Sequence, residues 1–67
     1  MVEFNIRDNL GGSFSIDVVN HGMLAGHIRK RPDTGAFRYY RGVHNELTPA
    51  DEDRDLEALK RRVKQNP

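Results

Sequence analysis

Apolar and polar residues alternate along most of this chain, and three short turn sequences interrupt the alternation. Val2, Phe4 and Ile6 alternate with Glu3, Asn5 and Arg7, and Phe14, Ile16 and Val18 alternate with Ser13, Ser15 and Asp17. Successive side chains on a strand point to opposite faces, so a period of two describes strands with one buried and one wet face. Asn9-Leu10-Gly11 fits a three-residue loop, a type I turn closed by a left-handed Gly11. Pairing Asp8 with Gly12 across it sets Ile6 against Phe14 and Phe4 against Ile16. Asn20-His21-Gly22 repeats this chemistry, and pairing Val19 with Met23 sets Val18 against Leu24 and Phe14 against Ile28. In the third turn, Pro32 presets its own φ, Asp33 favours the bend and Gly35 takes the left-handed position at no steric cost. With Arg31 and Ala36 as the closing pair, Arg29 lies opposite Arg38, Ile28 opposite Tyr39 and His27 opposite Tyr40.

Read independently, the three loops leave Phe4, Phe14, Leu24, Ile28, Phe37, Tyr39 and Val43 on one face. A slip of one residue in any of them would turn half of this set to water. The pattern predicts an antiparallel meander with strands near residues 2–8, 13–19, 23–31 and 36–43. Gly26 falls mid-strand on the apolar face, where it marks a bulge or a close approach of another element.

Beyond Val43 the period changes. Thr48 reads as a helix N-cap with Pro49 at the first helical position, where a missing N–H costs nothing. Acidic residues crowd positions 51–55 and basic ones positions 60–64, the order a helix dipole favours. Leu56, Leu59 and Val63 recur at helical spacing, with Leu47 near the entry. The expected fold is therefore α+β: a four-stranded antiparallel β-meander with one C-terminal α-helix, residues 49–64, packed on the apolar face.

A chain of 67 residues makes one domain, residues 1–67, with a thin core. Modest stability or added burial by self-association follows, so a monomer or weak homodimer through strand one or strand four is expected. Cysteine is absent, which excludes disulfides and thiolate metal sites and suits a reducing compartment. No apolar run approaches the ~18 residues that a membrane span needs, and the expectation is a soluble, cytoplasmic protein with no membrane partner. The net charge of +1 conceals blocks of +4 over residues 29–41, −5 over 46–57 and +4 over 58–67.

The hairpin of residues 24–43 carries the candidate binding surface: His27, Arg29, Arg31, Arg38 and Tyr40 share its outer face. Two arginines directly opposite each other repel unless an anion or an acidic side chain separates them, and Tyr40 is placed to stack. A solvated outer face neutralised by Glu3, Asp17 or the acidic block is the simpler account of the same residues. Histidines 21, 27 and 44 match no compact ligand spacing, and no nucleophile turn, Ser/His/Asp spacing or phosphate loop is present. No enzyme activity, metal site or cofactor is expected. The reading is a small binding or adaptor protein that engages a protein partner through the exposed sheet face or an edge strand. The alternative is a nucleic-acid-binding module that uses the basic hairpin.

In outline, the strand Ile28-Arg29-Lys30-Arg31, the turn at Gly35 and the strand Phe37-Arg38-Tyr39-Tyr40, followed by one helix, are similar to the small sheet-plus-helix DNA-binding modules of phage integrases and plant AP2 factors. That resemblance implies a sheet laid in the major groove. The chain departs from the pattern in having no Trp and little basic excess, and its motifs point to no particular family.

Overall fold

A computed structural model describes residues 1–9, 13–42 and 47–67. The chain forms one antiparallel sheet of five strands in sequential order. These are β1 (Val2–Asn9), β2 (Ser13–Asn20), β3 (Met23–Lys30), β4 (Phe37–Arg41) and β5 (Asp51–Asp53), followed by the helix α1 (Leu56–Gln65). The class is α+β as expected, but the sheet has five strands, not four, so β4 is an interior strand and the two edges are β1 and β5.

The third hairpin matches its sequence. Arg31 N–H donates to Ala36 O at 2.7 Å, Gly35 N–H donates to Arg31 O at 2.9 Å, and Gly35 has φ +73°. His27↔Tyr40, Ile28↔Tyr39 and Arg29↔Arg38 pair as the closing residues dictate. The first two registers differ by two residues from expectation, with Ile6↔Ile16 and Phe4↔Val18 across one hairpin and Ile16↔Ile28 across the next. Asn9 pairs with Ser13 and so belongs to the strand; the turn expected at Gly11, like Val43 and His44, lies outside the described residues. His21-Gly22 is a two-residue turn with φ 53° and 76°, the handedness that suits strand twist. That shortens the expected loop by one residue, and a bulge between Val18 and Val19, facing Leu24 and Gly26, adds the second. A shift of two preserves every face, so the inside-outside assignment survives the wrong register. Leu24, beyond the bulge, is the exception: it was placed on the apolar face and is 40% exposed.

Ile16, Val18, Ile28, Tyr39, Leu59 and Val63 form the core, with Val2, Phe4, Ala25, Phe37 and Leu56 packed around it. Burying each of the large side chains contributes on the order of 2 kcal/mol. Gly26 is needed for close approach: a Cβ there would collide with the carbonyl oxygen of Tyr40 and lie 2.9 Å from Tyr39 Cε1.

The helix starts seven residues later than Pro49. Asp55 is the N-cap and accepts from Glu57 N–H at 3.0 Å and Ala58 N–H at 3.4 Å. Leu47, expected to anchor the entry, is 93% exposed. Residues 51–53 instead satisfy the free side of β4, with Ala50 N–H donating to Tyr39 O at 2.8 Å just before the strand. Alternation sends Asp51 and Asp53 to the helix side, where Arg62 holds both. Its Nε lies 2.7 Å from Asp51 Oδ2, its Nη2 3.1 Å from Asp51 Oδ1 and its Nη1 2.8 Å from Asp53 Oδ2. The acidic block thus works as counter-charge to the helix and not as its first turn.

Two measurements test this packing. Gly26→Ala should cost about 1–3 kcal/mol through overpacking, read as a lower denaturant midpoint with an unchanged slope; an unaltered midpoint contradicts the close approach. The second is acid sensitivity. Arg62 above all, with the Glu52 N–H behind it, lowers the Asp51 carboxyl, whereas Asp53 is lowered first by the backbone N–H of Asp55 and then by Arg62. A depressed carboxyl contributes its stabilisation in full above the ordinary value of 3.8 and loses it as pH falls through the lowered value. The difference in stability between the natural chain and Asp51→Asn should therefore be constant near neutrality and close in strong acid. A gap unchanged across the acid range would contradict the clamp.

Candidate functional site

The sheet has one face under the helix and one without any covering element among the described residues. Alternation from the observed register places Glu3, Asn5 and Arg7 of β1 on the open face with Ser15 and Asp17 of β2. His27 and Arg29 of β3, Arg38 and Tyr40 of β4 and Glu52 of β5 complete it. Four of the five candidate residues, His27, Arg29, Arg38 and Tyr40, are thus brought together. His27 and Tyr40 stack with ring centroids 5.4 Å apart and 24° between planes. His27 is only 9% exposed and Ser15 7%, so long neighbouring side chains cover the middle of this face.

Arg31 goes elsewhere. Its guanidinium turns back on its own loop, with Nε 2.9 Å from Asp33 Oδ1 and Nη2 2.7 Å from Asp33 Oδ2. This fork-to-fork pair is the largest cause of the lowered Asp33 carboxyl. Asp33 Oδ1 also accepts from Thr34 N–H and Thr34 Oγ1 from Ala36 N–H, so the arginine serves the turn.

The remaining charges are largely matched. Arg38 Nε donates to Glu52 Oε1, and Glu52 first, then Tyr40, raises the guanidinium. Arg7 Nε lies 2.9 Å from Asp17 Oδ2, and Asp17 is the cross-strand neighbour of His27. Asp17 thus meets Arg7 of β1 and not the hairpin arginines for which the sequence offers it. The acidic block does supply a counter-charge, Glu52 to Arg38, but from a strand and not from a helix start; the alternation Asp51-Glu52-Asp53, one carboxylate out and two in, is the signal for that strand. Among the described residues no three of His, Cys, Asp and Glu are grouped to hold a metal ion, and no helix is long and apolar enough to cross a membrane.

A second surface is the outer edge of β1. His21 N–H donates to Met1 O at 3.3 Å, continuing the Val2↔Asn20 register by one pair. In an antiparallel ladder, directly opposed residues that share a hydrogen bond alternate with ones that do not. Odd-numbered residues of β1 therefore bond to β2, and Val2, Phe4 and Ile6 direct their N–H and C=O groups away from the sheet. Ile6 is 67% exposed although its side chain is on the helix face. Phe4 beside it is half-buried, with Lys60 Nζ 5.5 Å and Lys64 Nζ 5.8 Å from its ring centroid. The opposite edge is guarded: β5 is three residues long, every one acidic, and both of its faces are tied by arginines. Compared with protein-family models, with curated proteins and with solved structures, the chain finds no match.

Proposed function

We propose that this chain is a protein-interaction module, without catalysis of its own, whose working surface is the edge of β1. The observation that carries this reading is the contrast between the two sheet edges: an eight-residue edge strand with an exposed Ile6, against a three-residue acidic one. Short, charged edges discourage pairing, and long ones with apolar side chains invite it. An added strand would gain backbone hydrogen bonds from Val2, Phe4 and Ile6 and an apolar contact from Phe4 and Ile6. The reading agrees with the balanced charge and needs no compartment other than the cytoplasm.

The nucleic-acid alternative draws on Arg29, Arg38, His27 and Tyr40 standing together. It is the weaker reading, because a phosphate would have to displace Glu52 from Arg38 and Asp33 from Arg31.

Selection of displayed random peptides on the immobilised protein, followed by titration of the isotope-labelled chain with the recovered peptides and separately with a short DNA duplex at low salt, tests both. The expected outcome is peptides with alternating apolar residues that shift the amides of Val2, Phe4 and Ile6, and no response to the duplex. Peptides that bind elsewhere, or duplex-induced shifts clustered on His27, Arg29, Arg38 and Tyr40, would overturn the assignment.

A further inference from the structure

The middle of β1, from Glu3 to Arg7, is complementary to itself when reversed. We infer that the strand received by this edge is the β1 of a second copy of the chain, antiparallel, about a twofold axis through Asn5. The inference rests on the reading of β1 as the working edge and adds the occupant and the register.

The parity of the ladder limits the choice. Only residues whose backbone groups point outward exchange hydrogen bonds across the new junction, and these are Val2, Phe4, Ile6 and, continuing the alternation, Asp8. A twofold axis at Asn5 pairs Phe4 with the partner's Ile6, and Ile6 with the partner's Phe4, as hydrogen-bonded pairs. Asn5 meets its own copy, and Glu3 meets the partner's Arg7, in pairs without hydrogen bonds, where opposed side chains come closest.

Three properties of this register coincide. On the helix face Phe4 and Ile6 each face an apolar residue, so Ile6 loses its exposure to water, while Val2 stands opposite the partner's Asp8 at the ends of the junction. Each charge of the open face meets its opposite, with Glu3 exposed and the Arg7 side chain still 69% exposed although it lies 2.9 Å from Asp17 on the β2 side. The residue on the axis is a neutral amide that can both donate and accept towards its copy. Moving the axis to Phe4 or Ile6 keeps the hydrogen-bond parity but breaks the charge match, leaving Glu3 opposite Asn5 or Asn9. The interface is isologous, as a closed dimer requires, and joins two five-stranded sheets into one.

The test uses the full chain. Sedimentation across micromolar to millimolar concentration should show a reversible monomer–dimer equilibrium. Glu3→Arg should weaken the dimer about tenfold or more, because two opposite-charge pairs become like-charge pairs. The chain has no cysteine, so Asn5→Cys introduces a single thiol on the axis, at a Cα separation of about 4.5 Å that suits a disulfide. Under mild oxidation this variant should cross-link far faster than Arg54→Cys, placed at an exposed position away from β1.

A chain that stays monomeric at every concentration overturns the self-pairing but leaves the edge open to a strand from another protein, which the peptide selection tests separately. A dimer indifferent to Glu3→Arg, with Asn5→Cys cross-linking no faster than the control, overturns it too, by locating the contact on a different surface.

Discussion

One ten-residue helix covers the apolar face of a five-stranded sheet, and it does so unevenly. Arg62 turns to β5 while Lys60 and Lys64 turn to β1, so side chains from opposite sides of the helix span the width of the sheet. Leu59 and Val63 close over Ile16, Val18, Ile28 and Tyr39 on the middle strands. Towards β1 the helix reaches only with the stems of Lys60 and Lys64 over Phe4. Ile6 lies past that reach, and its exposure follows from the geometry of the cover. The uncovered apolar residue therefore lies on the edge strand itself.

The opposite end of the sheet shows how the chain closes an edge when it does so. Asp51, Glu52 and Asp53 alternate across β5, and each face meets an arginine from a different element, Arg62 of the helix on one side and Arg38 of β4 on the other. Exposed ion pairs contribute little individually. Here they set direction and register, fixing a strand too short to be held by backbone bonds alone. The pair with Glu52 also matches Arg38 on the hairpin face, while Arg31 is held by Asp33 of its own turn and Arg7 of β1 by Asp17.

Much of this was legible in the residues and some was not, for physical reasons. The third hairpin could be read to the residue, because Pro32, Asp33 and Gly35 each admit few conformations, and with it came the opposition of Arg29 to Arg38 and of His27 to Tyr40. The registers of the first two hairpins were wrong by two. A two-residue turn and a bulge lie close to a three-residue turn in sequence terms, and face assignment is blind to even shifts. The start of the helix was misplaced because acidic residues near Thr48-Pro49 suit a helix dipole and an acidic strand equally. Only the arginines they meet, Arg38 and Arg62, decide between the two, and both are remote in sequence. That error concealed the fifth strand and so made β4 look like an edge. His27, Arg29, Arg38 and Tyr40 share the face that alternation gives them, whereas Arg31 turns back to Asp33, and the counter-charge to Arg38 comes from Glu52 on a strand instead of a helix start.

The central claim is that the outward backbone groups of β1 are made to be paired. Amide hydrogen exchange along this strand reads that most directly, residue by residue. At high dilution, slow exchange at Glu3, Asn5 and Arg7 should alternate with fast exchange at Phe4 and Ile6, and at high concentration the fast pair should slow to match its neighbours. Fast exchange at Phe4 and Ile6 at every concentration would contradict the account.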